Sequence, residues 1–149
     1  FGGAVPALRQ VMDVARGTGR CAVAMVGIAA DEASRRGATA VYSGVAADRE
    51  FRIAHIPDKG AKSSTFSTGG SAMAYTGVGR YAFGAELWAT IDEVERSLPQ
   101  GVELDDIPVM QTLLARDRLT GCLIEGRFLD VGIPAGLAEA NELLGAELE

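Results

Sequence analysis

The chain is short of the residues that build metal and redox sites. Its 149 residues include two cysteines and a single histidine, His55. Cys21 and Cys122 lie far apart in apolar surroundings, CAVAMV and TGCLIEG, and with one histidine they form no zinc spacing. Two buried thiols in a reducing compartment are expected. His55 has no Ser, Cys or carboxylate partner at a telling spacing, so a nucleophilic triad is not supported. There is no basic run: 14 Lys and Arg stand against 20 Asp and Glu, a net charge of −6. That balance argues against nucleic acid or an anionic membrane as the main partner, yet allows one phosphorylated small molecule held by a local cation. No apolar run reaches the ~18 residues of a membrane span, and no signal-peptide pattern is read. The cytoplasm is the expected compartment. Nor is there a repeat, a low-complexity tract or a dividing linker, so residues 1–149 read as one domain.

What is present alternates between helix and strand. Val5, Leu8, Val11, Met12 and Ala15 recur at helical spacing, with Pro6 at the helix start and Gly17 and Gly19 closing it. CAVAMVGI (21–28) is a continuous apolar run, the mark of a strand covered on both faces in a mainly parallel sheet. ATAVYSGV and REFRIAHI predict an antiparallel hairpin, and GAKSSTFSTGGS (60–71) a long loop. MAYTGVGRYAFG predicts a strand. AELWATIDEVERSL follows as a helix with Leu87, Trp88, Ile91, Val94 and Leu98 inward. Asp105 and Asp106 start another helix with Ile107, Met110, Leu113 and Leu114 inward. LTGCLIEG and RFLD predict strands, and a helix from Pro134 to Leu148 ends the chain. The fold class is α/β: a mainly parallel Rossmann-like sheet flanked by helices, with one antiparallel hairpin.

Four places could carry chemistry. Asp130, between Phe128-Leu129 and Val-Gly-Ile-Pro, suits a hard-cation ligand on a rigid element, or a side-chain cap of a turn or the last helix. Asp58-Lys59, at the end of HIPDKG, pairs a hydroxyl acceptor with a phosphate-holding ammonium; an ordinary exposed turn reads the same way. Gly77 and Gly79 interrupt a strand, which allows a flat ligand to approach or marks a bulge. Glu103, Asp105 and Asp106 place acid at a helix start, as caps or as a wall facing sugar hydroxyls.

In order, the buried strand, DKG, the Ser/Gly loop, TGVGRYAF, VELDDI and LTGCLIEGRFLDVG resemble the second half of the sugar-phosphate nucleotidyltransferases, the glucose-1-phosphate uridylyl- and thymidylyltransferase group. The resemblance implies that Asp58 and Lys59 stand for the family's Glu-Lys-Pro pair, contacting sugar and phosphate. Gly79-Arg80-Tyr81 stands for the motif giving a backbone contact to the sugar. Glu103 and Asp106 stand for a Glu-Ile/Leu-x-x-Asp motif, and Asp130-Val131-Gly132 for the Asp-x-Gly whose carboxylate binds Mg²⁺. It also implies catalytic roles for Lys59 and Asp130, substrate contacts from Asp58, Gly79 and Glu103, UTP or dTTP with a sugar 1-phosphate as substrates, and a homo-oligomer. Two motifs depart from the family: Ala72-Met73-Ala74 stands where a sugar-binding asparagine is usual, and Glu-Lys-Pro has become Asp-Lys-Gly. The family's Gly-rich nucleotide loop and Asp-Asp motif are absent, and FGGAVPALRQ looks like the stretch that follows them. The expectation is therefore a C-terminal segment, inactive alone, that lacks roughly a hundred preceding residues. A degenerate sugar-phosphate-binding or subunit-interaction domain is the alternative.

Overall fold

A computed structural model describes residues 5–29, 41–42, 49–56, 73–126, 128–129, 131–132 and 134–146. In chain order the elements are α1 (Ala7–Thr18), β1 (Cys21–Ala29), β2 (Val41–Tyr42), β3 (Glu50–Phe51), β4 (Ile53–His55), β5 (Met73–Ala82), α2 (Glu86–Ser97), α3 (Asp106–Ala115), β6 (Leu119–Leu123) and α4 (Pro134–Ala146). Four strands form one sheet in the order β3-β6-β1-β5, and β2 pairs with β4 in a second.

The α/β expectation holds, with a partly parallel sheet. β1 runs parallel to β6, while β1–β5 and β3–β6 are antiparallel. β2 and β4 pair antiparallel, as expected of ATAVYSGV and REFRIAHI, with Val41 opposite His55, but REFRIAHI is divided, its β3 part pairing with β6 instead. β1 is buried on both faces from Cys21 to Met25. Its odd residues Cys21, Val23 and Met25 pack with Phe51, Ile53, Val94, Val109, Met110, Leu113 and Leu119 in one core. Its even residues Ala22 and Ala24 face the other way, toward Ala7, Val11, Val78, Cys122 and Ile124. Period-2 alternation of two apolar sets is why no polar residue interrupts the run.

The two alanines on that second face let α1 lie close, and this sets which side of α1 is inside. Ala7, Gln10 and Val11 are buried, whereas Val5 and Leu8 of the expected stripe are exposed. Gly17 lies within the helix; Gly19 alone stops it, at φ +66° with its N–H on the Ala15 carbonyl at 2.9 Å, the left-handed position glycine occupies at low cost. In α2, Trp88 is turned out, 70% exposed, and the buried position belongs to Thr90, 1% exposed. The Thr90 hydroxyl donates to the Glu86 carbonyl at 2.9 Å, so burying it leaves no donor unpaired.

RFLD does not form a strand where it is described: Phe128 and Leu129 have irregular backbone, and β6 ends at Leu123. A side chain occupies the backbone just beyond β6. The Gln10 amide accepts from the Glu125 N–H at 2.9 Å and donates to the Glu125 carbonyl at 3.2 Å and the Val5 carbonyl at 2.8 Å. It takes the Glu125 backbone groups that a neighbouring strand would otherwise engage. Both thiols are buried and unpaired in a disulfide, as expected; burial pushes Cys122 up to about 11. The long loop 60–71 lies outside the described residues. No helix of the described residues is long and apolar enough to cross a membrane.

Candidate functional site

Four elements meet around a cavity of about 220 Å³, lined by Val23 and Met25 of β1, Ile53 and Ile56 from the β4 segment, Gly77 and Tyr81 of β5, and Asp106, Ile107 and Met110 of α3. Each arrives for a local reason. β5 bulges against β1: from Val23 to Met25 the partners run from Tyr81 to Gly77, four residues against two. Gly79 absorbs the irregularity at φ +64°, a backbone region that costs other residues roughly 1–2 kcal/mol. The bulge reading of the two glycines is therefore correct, and it is compatible with a ligand role, because Gly77 leaves the cavity wall bare: a side chain added there would first meet Val23 Cγ2, at 3.7 Å.

α3 begins with two acids in different roles. Asp105 is the cap, its carboxylate accepting from the Ile107 N–H at 3.1 Å. Asp106, in the first turn, faces the cavity and accepts from the Tyr81 hydroxyl at 3.2 Å. Burial, then hydrogen bonding with Asp105, raises the Asp106 pKa, with the Tyr81 bond pulling the other way; burial and the nearby Asp106 charge push the Tyr81 phenol up. Tyr81 also stacks on Phe83, centroids 5.3 Å apart and planes at 15°, which fixes its ring.

The sign of the Asp106 shift gives a test. A carboxyl whose folded-state pKa is raised destabilises the fold wherever it must be charged, and this cost disappears below the ordinary aspartate value of 3.8. Asp106→Asn keeps an acceptor for Tyr81, so the variant should be the more stable protein at pH 7 and lose that advantage by about pH 3.5. Urea midpoints at both pH values check this; a wild type that gains on the variant as pH rises would refute it.

Of the residues expected from sequence, Gly79 lies at the bulge and Glu103 is exposed in the segment leading into α3. Neither is in the described cavity lining, where Asp106 and Tyr81 supply the polar groups. Asp58, Lys59 and Asp130 lie outside the described residues; Asp58 and Lys59 follow the lining residue Ile56 by two and three positions in sequence. Among the described residues no group of three His, Cys, Asp or Glu could hold a metal ion. A larger cleft of about 610 Å³ collects Arg52, His55, Gln111 and Asp117. There the Gln111 amide is committed to the Ile56 carbonyl at 2.8 Å and Asp117 to Arg20 at 2.7 Å. Chemistry favours the smaller cavity, where the motif-bearing segments converge.

Tyr81 and Asp106 were both visible in the sequence as motif members, but nothing local marked them as a pair. A capping acid and a cavity-facing acid look alike at a helix start.

No protein-family model matches the chain, and no curated protein sequence matches it. Solved structures do. A UTP-bound UGPase from Acinetobacter baumannii superposes with a TM-score of 0.72 at 15% identity, over 99% of this chain and 47% of that one. A UDP-glucose pyrophosphorylase complexed with UDP-glucose gives 0.69 at 18% identity, over 99% and 52%. The apo form of a UDP-glucose pyrophosphorylase gives 0.69 at 18%, over 100% and 51%. The chain has the fold of these enzymes and spans about half their length.

Proposed function

We propose that this chain supplies the sugar-phosphate half of a nucleotidyltransferase that joins a sugar 1-phosphate to UTP or dTTP, releasing pyrophosphate and an NDP-sugar. One observation carries the reading: the end of β4, Tyr81 of the Gly-Arg-Tyr motif in β5 and Asp106 at the start of α3 line one cavity, in a fold shared with UDP-glucose pyrophosphorylases. In the reaction, an oxygen of the sugar phosphate attacks the α-phosphorus and the bond to pyrophosphate breaks. The protein's part in such a transfer is positioning and charge neutralisation. Lys59 holds the sugar phosphate as a point charge, and Asp58, Glu103 and the Gly79 backbone seat the sugar. Asp130 is the proposed ligand for Mg²⁺, which when bound neutralises phosphate charge. A nucleotide-binding half, completing the metal site, and a homo-oligomeric assembly belong to the same proposal.

The test is pyrophosphate release by the full-length protein from UTP or dTTP with glucose 1-phosphate. Turnover is expected, falling at least tenfold, about 1.4 kcal/mol of barrier, in Lys59→Ala and in Asp130→Ala. Both variants within threefold of wild type would remove the assignment. Ala72-Met73-Ala74 and the Asp-Lys-Gly sequence favour a second reading, a non-catalytic sugar-phosphate-binding or subunit-interaction domain. Sugar-phosphate binding without pyrophosphate release would select its binding form.

A further inference from the structure

We propose that the Asp106 carboxylate is the specificity-determining acceptor for one hydroxyl of the sugar, and that Tyr81 is the residue that positions it. This deepens the reading above and rests on it.

The cavity is largely apolar. Val23, Met25, Ile53, Ile56, Ile107 and Met110 form most of its wall. Its polar side-chain groups among the described lining are the Asp106 carboxylate and the Tyr81 hydroxyl. A sugar ring has two apolar faces and a rim of hydroxyls, so it fits such a wall only where a hydroxyl meets one of these groups. At about 220 Å³ the space is smaller than the ~300–1,000 Å³ typical of drug-sized ligands, which suits a single ring. An ionised carboxylate offers about four lone-pair positions; the Tyr81 hydroxyl occupies one, at 3.2 Å. That bond leaves the carboxylate able to accept a hydroxyl and takes up the phenol's only proton. Asp106 thus reads the sugar, while Tyr81 orients Asp106.

Tyr81 is itself held from both sides. Gly79, two residues before it, turns the β5 backbone at positive φ, and Phe83, two residues after it, stacks on its ring. Asp106 is anchored by its place in the first turn of α3, whose start is fixed by the Asp105 cap. The hydrogen bond therefore ties the sheet to the helix across the cavity mouth. A carboxylate beside an apolar wall discriminates against a substrate that lacks the matching hydroxyl, because the charge-assisted hydrogen bond it would accept is then lost.

The experiment is calorimetric titration of the full-length protein, wild type, Asp106→Asn, Tyr81→Phe and the double variant, with glucose 1-phosphate and its 2-, 3-, 4- and 6-deoxy analogues. Melting temperatures confirm that each variant folds, and inorganic phosphate is the control ligand. Wild type should bind one deoxy analogue at least tenfold more weakly than glucose 1-phosphate. Asp106→Asn should lose about tenfold for glucose 1-phosphate and nothing for that one analogue, with inorganic phosphate unchanged. Tyr81→Phe should lose about threefold, and nothing further when combined with Asp106→Asn, a non-additivity that a purely structural role would not produce. If wild type binds glucose 1-phosphate and Asp106→Asn keeps the full deoxy-analogue profile, this inference falls and the proposed function stands. If wild type binds no sugar 1-phosphate, both fall.

Discussion

Gly121→Ala should cost the protein roughly 2–3 kcal/mol of stability by overpacking, a shift of about 5–10 °C in melting temperature for a domain of this size. Gly121 lies in β6, opposite Phe51 of β3 and beside Val23 of β1. A methyl group there would clash with the Cζ end of the Phe51 ring, 2.6 Å from Cε1 and 2.7 Å from Cε2. The ring cannot step aside cheaply. It is 3% exposed and packs on Tyr75 with centroids 5.2 Å apart. Its backbone is tied as well: the buried Thr120 hydroxyl donates to the Phe51 carbonyl at 3.1 Å. Phe51→Leu alone trims the core, but in the Gly121→Ala background it makes room. The double variant should be more stable than the sum of the two losses predicts, by at least 1 kcal/mol, as contacting residues in a mutant cycle allow. Urea unfolding of the four proteins measures this. Additive losses, or a Gly121→Ala change under 0.5 kcal/mol, would show that the β3–β6 contact does not have this geometry.

That contact shows which parts of the fold the sequence could disclose. β1 was legible because its apolar run, buried on both faces, contains its own evidence. The hairpin and the α3 cap were legible for the same local reason: alternation, turn residues and an acid before an apolar helix. The partners of β1 were not, because nothing in CAVAMVGI records whether its neighbours run parallel or antiparallel. The inward face of α1 was misread by periodicity alone, since Leu8 is apolar and at the right spacing, yet Ala22 and Ala24 leave room only for a close helix with Gln10 inside. Trp88 was misread likewise, a large apolar residue at the stripe position with Thr90 taking the buried place. In the candidate site the glycines of β5 announced an irregular strand. The pairing of Tyr81 with Asp106 did not show, because it joins residues 25 apart through a bulge and a helix start.

Gln10→Leu should destabilise the protein by about 3 kcal/mol, though it places an apolar side chain at a 2%-exposed position. The usual rule would favour that exchange. Here the amide satisfies three backbone groups, the Val5 carbonyl and both the carbonyl and N–H of Glu125, and each buried group left unpaired costs about 1–3 kcal/mol. Gln10→Glu separates hydrogen bonding from volume. Its carboxylate still accepts from the Glu125 N–H but turns an anion toward two carbonyl oxygens, so its pKa must rise in the folded state. The stability it loses at pH 7 should return in part as pH falls through that raised pKa and the acid regains a proton to donate. Hydrogen exchange supplies the local reading: the Glu125 amide should be protected in wild type and exchange much faster in Gln10→Leu, while the amides of β1 follow only the global loss. A Glu125 amide equally protected in both proteins would mean that another group takes the Gln10 role. The consequence reaches function through chain order. Glu125 follows the end of β6 by two residues and precedes Asp130, the proposed metal ligand, by five in sequence. On the proposed function, Gln10→Leu in the full-length protein should lower turnover and raise the Mg²⁺ concentration needed for half-maximal activity, without changing the affinity for sugar 1-phosphate. A loss confined to sugar-phosphate affinity would place Gln10 on the wrong side of the proposed site.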